Sequence, residues 1–277
     1  MIRRFILTLM AAALLLPQLS FGQELKVMSY NIRLNTESDG TNAWMYRCPA
    51  TLEMLKDQQP DVFGVQEALP EQVRFLEEWA DGYECVGVGR DDGKKKGEHM
   101  SIFWNKKTMK LLKWGTFWLS ETPEKPSMGW DAACYRTATW ALMKDKRTGK
   151  KFYFVNTHLD HVGKQARANG LALIVDSIAE INPEGYPMVL TGDFNVKPDD
   201  PCLTGLDARM KCTRKVAAKT DNHHTYNGWG KASKDSVIDY IYISGFSACS
   251  EYQTVTKKYS GRTFISDHYP ITARLIF

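Results

Sequence analysis

Apolar residues along this chain come in short runs that stop on polar residues, and the runs differ in period. Residues 25–30 (LKVMSY) read as a strand, and residues 62–66 as a buried strand following Gln59-Pro60-Asp61. Between them, a loop with Ser38-Asp39-Gly40 leads to a helix over roughly 48–58. Pro70 opens an amphipathic helix with Val73, Phe75, Leu76 and Trp79 on its apolar side. Strands then follow in quick succession at 83–88, 100–105, 109–116, 138–144 and 151–157. A long helix is predicted over 163–180, its inner face formed by Ala166, Leu171, Ile174, Val175 and Ile178. Strands at 188–191, 239–243 and 271–276 complete the pattern. Helices alternate with strands, yet several strands meet through short turns. That combination predicts an α/β (α+β) domain with two packed, mixed sheets.

The polar residues that end the runs form six clusters: Ser29-Tyr30-Asn31, Gln66-Glu67, Asn156-Thr157-His158, Gly192-Asp193-Phe194-Asn195, Ile238-Asp239-Tyr240 and Ser266-Asp267-His268. Carboxylates, carboxamides and imidazoles at strand ends are the groups that a hard divalent cation and a phosphate ester require. Spread over the whole chain, they imply one site assembled from many strands. Taken singly, each has a plainer reading. Asn31 alone would be a turn former. Glu67 ends a buried strand, so its carboxylate must be paired, bind metal or reach a cleft. Asp193 and Asn195, two apart, can project to one side and place a water-activating carboxylate beside a phosphate-binding carboxamide; the competing reading is an Asx turn. Adjacent Asp267 and His268 point to opposite sides of an extended segment and so serve different partners. Asp239 could orient an imidazole from elsewhere or form a structural ion pair.

In their order, Ser-Tyr-Asn-Ile-Arg, Val-Gln-Glu, Asn-Thr-His-Leu, Gly-Asp-Phe-Asn, Ile-Asp-Tyr and Ser-Asp-His-Tyr-Pro resemble the endonuclease/exonuclease/phosphatase superfamily, the fold of pancreatic deoxyribonuclease. The resemblance covers essentially residues 25–277 and implies a four-layer sandwich, two mixed sheets face to face with helices outside. It also implies Mg²⁺, with Mn²⁺ as the alternative, held mainly by Glu67 with Asn31 and Asp267 close by. Asp193 then resembles the residue that activates the attacking water, and Asn195 a phosphate contact. His268, held by Asp239, and His158 resemble the imidazoles on the scissile phosphate. Arg33 and His158 depart from the DNA-repair branch, which carries an acid and an aromatic hydroxyl there. Arg47 and Arg136 are the candidates for a leaving-group or second phosphate contact, since guanidinium suits phosphate; the plainer reading is two surface arginines.

Residues 1–22 read as a secretory signal peptide: Arg3 and Arg4, an apolar stretch from Phe5 to Pro17, then Ser20-Phe21-Gly22. The expectation is an exported, periplasmic or secreted domain over 23–277, with no transmembrane segment and no stable protein partner. The chain carries 36 Lys and Arg against 32 Asp and Glu, and two of the arginines lie in that leader. The balance is not that of a dedicated nucleic-acid binder. Of the six cysteines, Cys202 and Cys212 would close a short loop and are the expected disulfide pair, the plainer reading being that most of the six are buried apolar residues. The residues thus predict a divalent-metal phosphoesterase acting on a small, sugar, inositol or lipid phosphoester. An extracellular nuclease acting on DNA or RNA is the alternative, and a non-catalytic binding protein on the same fold the reading from another class.

Overall fold

A computed structural model describes residues 23–277, so the leader expected over 1–22 lies outside the described residues. The chain runs β1 (Leu25–Asn31), α1 (Trp44–Gln58), β2 (Val62–Gln66), α2 (Pro70–Trp79), β3 (Tyr83–Val86) and β4 (Ile102–Asn105). It continues through β5 (Met109–Trp118), β6 (Thr137–Asp145), β7 (Lys151–His158), α3 (Lys164–Ile181) and β8 (Met188–Asp193). The last strands are β9 (Lys211–Cys212), β10 (Asp239–Ser244), β11 (Ala248–Thr254) and β12 (Ile271–Ile276). Two six-stranded sheets result, in the orders β11-β12-β1-β2-β4-β3 and β5-β6-β7-β8-β10-β9. Each is mixed: β1–β2 and β7–β8 are parallel, each pair joined through a helix, and the remaining pairs are antiparallel.

Alternation along each strand decides which layer a side chain enters. Leu25 and Val27 of β1 meet Phe152, Phe154, Val189 and Ile241 between the sheets. Met28, Tyr30, Phe63 and Val65 face outward and pack under α1 and α2, with Met54, Leu55 and Leu76. Val155, Leu190, Tyr240 and Tyr242 face the other way and pack under α3, with Leu171, Ile174 and Ile178. The architecture is therefore the four-layer sandwich expected from the sequence.

The inner faces change character along their length, and this change positions the site. At one end they are apolar. Further along, Asn156 Oδ1 accepts from Gln66 Nε2 at 2.6 Å and Thr191 Oγ1 at 3.1 Å, while its Nδ2 donates to Val65 O at 2.8 Å. Gly64 permits this bridge, because a Cβ there would lie 2.4 Å from the Asn156 carboxamide. One pleat beyond come Asn31, His158, Asp193 and Asp239, all buried.

Two expectations change. All six cysteines are free thiols, so the Cys202–Cys212 bridge is not formed; both pack instead within or against the core under α3. Helix α1 starts at Trp44, four residues earlier than its periodicity indicated, and β11 lacks any expectation from sequence. Among the described residues, no helix is long and apolar enough to cross a membrane.

Candidate active site

Strand registers bring the six clusters to one rim. Asp193 pairs with Asp239 across β8–β10 and with His158 across β7–β8, and Asn31 pairs with Gln66 across β1–β2. Beyond the strand ends the backbone turns sharply. Arg33, Glu67 and Asn195 have φ of 59°, 63° and 53°, the left-handed region that costs a residue with a side chain. Such conformations persist where surrounding bonds over-determine them. Asn195 N donates to Asp193 Oδ1 at 2.9 Å, which is the Asx turn, and Asn195 Nδ2 donates to Leu159 O at 3.0 Å. The turn and the shared placement of Asp193 and Asn195 are one feature.

Asn31 sits at the centre. Its Nδ2 donates to Glu67 Oε1 and to Asp193 Oδ2, each at 3.0 Å. Glu67 Oε2 accepts from Leu34 N at 3.1 Å. Arg33 forks onto Asp39 with two 3.0 Å bonds and lies 3.9 Å from both Glu67 and Asp267. His268 Nδ1 lies 2.9 Å from Asp239 Oδ2, while its Nε2 lies 3.6 Å from Asp193 Oδ2. Asp267 and His268 do serve different partners: Arg33 for one, Asp239 for the other.

The two imidazoles flanking Asp193 are in opposite protonation states. Burial works against charge on His268, but Asp239 and Asp193 outweigh it and raise its pKa to about 10. Burial and then the nearby Arg136 and Arg90 guanidiniums push His158 well below its usual value, so it is neutral. Asn195 Nδ2 lies 3.0 Å from His158 Nε2, which therefore accepts, leaving the proton on Nδ1. Burial and then the Asp239 charge raise Asp193 to about 7. Burial likewise raises Asp267.

Asp193, Asp239, Asp267 and Glu67 crowd this rim, and a hard cation relieves repulsion among such carboxylates. Glu67, His158 and Asp193 offer ligand atoms within 4.8 Å of one another. The residues present fit a divalent ion.

The cleft above them has a volume of about 520 Å³ and is lined by Glu67, His158, Asp193, Asn195, Asp267 and His268 of the expected residues, together with Arg136. Asn31 and Asp239 are buried beneath its floor. A groove of about 600 Å³ beside Trp79 is larger but holds none of the metal-competent side-chain groups found among the described residues.

Arg47 corrects the sequence reading. It is fully buried, and its guanidinium donates to the carbonyls of Asn42, Ile32, Ile265 and Arg33 at 2.6–3.1 Å. Trp44 and Trp229 cover it at 5.3 and 5.5 Å. With its donors spent on backbone, it holds the β1 end against the Ser266–His268 segment and does not reach the cleft. The sequence reading also missed Arg90, Glu98, Cys134, His161 and Tyr226, all of which line the cleft. All five lie outside the named strands and helices, where no periodicity marks them.

A two-sheet sandwich whose strand ends converge on carboxylates, carboxamides and imidazoles defines a phosphoester-processing class of fold. The Endonuclease/Exonuclease/phosphatase family matches residues 28–268, and the chain belongs to that family. An endonuclease/exonuclease/phosphatase from Bacteroides vulgatus is 36% identical with a TM-score of 0.87, covering 91% of this chain and 98% of that one. A mannosyl-6-phosphatase from Bacteroides thetaiotaomicron is 34% identical with a TM-score of 0.87, covering 91% of this chain and all of that one. The probable RNA exonuclease NGL3 of Saccharomyces cerevisiae is 25% identical over 211 residues, 67% of this chain and 40% of that protein.

Proposed function

We propose that this protein hydrolyses a small phosphoester, a sugar, inositol or lipid phosphate, with a divalent cation bound. The observation that carries the reading is Asp193, a buried carboxylate held between a cationic and a neutral imidazole. Titratable neighbours whose environments push their pKa values apart are the mark of assigned acid and base roles. In the cation-free protein burial and the Asp239 charge raise Asp193 to about 7, and a carboxylate raised in this way suits removal of a proton from water. The water oxygen bonds to phosphorus opposite the leaving oxygen, whose bond to phosphorus breaks. Cationic His268, fixed by Asp239, faces the phosphoryl oxygens and offsets their developing charge. His158, held by Asn195 through its Nε2, lines the other side of the site. Glu67, Asn31 and Asp267 would hold the ion, Mg²⁺ or Mn²⁺, which supplies charge neutralisation at phosphorus when bound.

A small substrate is favoured over a nucleic acid because the cleft's arginines are matched by acids: Arg33 by Asp39, Arg90 by Glu98, Arg136 by Asp160. A groove that tracks a phosphate backbone needs unmatched positive charge. We further propose export, supported by the pattern of residues 1–22; N-terminal sequencing of the protein from its native host would test it.

The test is hydrolysis by the 23–277 protein with Mg²⁺ or Mn²⁺, across aryl, sugar and inositol phosphates, phospholipids, DNA and RNA. Small phosphoesters should be cleaved, with activity lost in EDTA and in His268→Ala. Preferential, salt-sensitive cleavage of DNA or RNA would establish the nuclease reading instead. Cation binding without hydrolysis of any member would favour the binding protein.

A further inference from the structure

One corner of the cleft presents donors that the chemistry at phosphorus does not use. Arg136, immediately before β6, places Nε 3.4 Å from Asp160 Oδ2 and Nη2 3.1 Å from His161 Nδ1, while its buried Nη1 has no partner. Arg90 donates from Nη1 to Glu98 Oε2 at 2.7 Å, and its buried Nε, 3.8 Å from Asp91 Oδ1, has no hydrogen-bond partner. His158 Nδ1, buried and without a hydrogen-bond partner, is the third such nitrogen, 4.0 Å from Glu98 Oε2. Leaving a buried donor unsatisfied costs about 1–3 kcal/mol. Three in one wall of one cleft point to a ligand that supplies the acceptors.

The corner's chemistry narrows what that ligand is. Cys134, Asp160 and His161 are close enough together to suggest a cation. However, Asp160 already accepts from the amides of Val162, Gly163 and Ala133, and the Arg136 guanidinium occupies His161 Nδ1. A metal ion would meet a fixed positive charge there. A second phosphate fares little better. Each guanidinium is already matched by a carboxylate, and Glu98, with its side chain 13% exposed, would face the incoming dianion. A hydroxyl meets neither objection. It accepts from Arg136 Nη1, Arg90 Nε or His158 Nδ1 and donates to the Glu98 carboxylate.

We propose that this corner seats the leaving group of the substrate, and that the leaving group is a neutral polyol, a sugar or cyclitol carrying adjacent hydroxyls, rather than a second phosphorylated moiety. The proposal rests on the phosphoester reading above. His158 joins the two halves of the cleft, with Nε2 toward Asn195 and Asp193 and Nδ1 toward the corner.

The experiment compares phenyl phosphate, three hexose 6-phosphates (glucose, mannose, galactose), myo-inositol 1-phosphate and glucose 1,6-bisphosphate. Hydrolysis and calorimetric binding are both measured, for wild type, Glu98→Gln and Arg136→Gln. At least one polyol monophosphate should exceed phenyl phosphate about tenfold in kcat/KM and in affinity. Glu98→Gln should lower that ratio about tenfold while raising affinity for the bisphosphate, because it removes an acceptor and a negative charge together. A variant that merely loosened the fold would not move two ligands in opposite directions. Arg136→Gln should lower the polyol advantage as well, and Glu98→Gln carries the test should that variant fail to fold. A wild-type preference for the bisphosphate, no polyol advantage, or equal loss for every ligand in Glu98→Gln would overturn the proposal. Absence of hydrolysis alongside the expected binding pattern would instead sink the catalytic reading and leave the corner assigned.

Discussion

Both ends of this sandwich bury carboxylates beside cations, yet they are built to opposite rules. At the end away from the cleft, Asp145 accepts Arg147 N at 2.7 Å on Oδ1 and Arg147 Nη2 at 2.7 Å on Oδ2. The same guanidinium reaches Asp61 Oδ2 at 3.0 Å, and Lys26 N reaches that oxygen at 2.9 Å. None of these charged groups has a buried atom left without a partner. At the cleft end, Asp193 Oδ2 meets two imidazoles only at 3.5 and 3.6 Å, and three buried nitrogens have no acceptor. One end is a finished network that ties loops to strands. The other keeps open valences, which is how a folded protein holds affinity for something it does not yet contain.

The largest expected effect follows from exchanging the two ends. Asp193→Ala should cut turnover on the order of 10²-fold or more while the protein stays folded. Asp145→Ala should do the reverse. Leaving Arg147 with Asp61 as its remaining carboxylate should cost about 1–3 kcal/mol in denaturant unfolding, with the pH profile of the surviving activity unmoved. Comparable stability losses in both variants, with comparable activity, would erase the distinction.

The next effect is on cation binding. With Mg²⁺ at 100-fold its Kd, stabilisation of about 2.7 kcal/mol is expected for any ion that binds only the folded chain. Glu67→Gln should abolish most of the Mg²⁺-induced rise in Tm, and Asp61→Asn should leave that rise intact. A rise that survives Glu67→Gln would move the ion to another part of the rim.

Arg47 sharpens the contrast because it belongs to the finished kind of network while lying directly under the open one. Arg47→Lys keeps the charge but cannot serve four carbonyls with a three-donor ammonium. A stability loss of about 1–3 kcal/mol is expected for the carbonyls left unpaired. The segment it pins carries Asp267 and His268, so kcat should fall more than KM rises. Unchanged kcat at full stability would reduce Arg47 to packing.

The same contrast explains how much the sequence disclosed. Strand-end residues were legible because a period of two, ended by a polar residue, marks both the strand and the layer into which the side chain points. Asn31, His158, Asp193 and Asp239 lie at strand ends, Glu67 one residue beyond β2 and His268 in the segment leading to β12, and the structure gathers them. Arg47 misled because its helix starts earlier than the hydrophobic spacing showed, and an arginine looks the same in sequence whether its donors meet phosphate or carbonyls. Arg90 and Glu98 lie in the connection between β3 and β4, outside any periodic run. What seats them is backbone pairing within the loop, Arg90 N to Glu98 O at 3.0 Å, and the Trp118 indole donating to Arg90 O at 2.7 Å. Neither leaves a period in the sequence.

The last effect is on stability against pH in the cation-free protein, where the two ends pull in opposite directions. The folded pKa of His268 is raised to about 10, chiefly by Asp239 and Asp193 against the burial that lowers it. The folded chain thus holds a proton that the unfolded chain loses near pH 6.5, so this stabilisation is complete below that pH and is lost as pH rises toward 10. Lys26, whose Nζ donates to Gln58 O at 2.6 Å, is shifted the other way. Burial and then Arg274 lower it to about 8, so its folded form sheds a proton that the unfolded chain keeps, and stability gains as pH rises from about 8. Each term is read as a difference between variant and wild type, which removes the titrations common to both. Relative to wild type, His268→Gln should lose least at high pH, its deficit shrinking steadily from pH 6.5 to 9. Lys26→Met should instead show its greatest advantage near neutral pH, an advantage that narrows above pH 8. Parallel curves for all three proteins would mean that neither proton is coupled to folding, and that the open and finished ends differ in geometry alone.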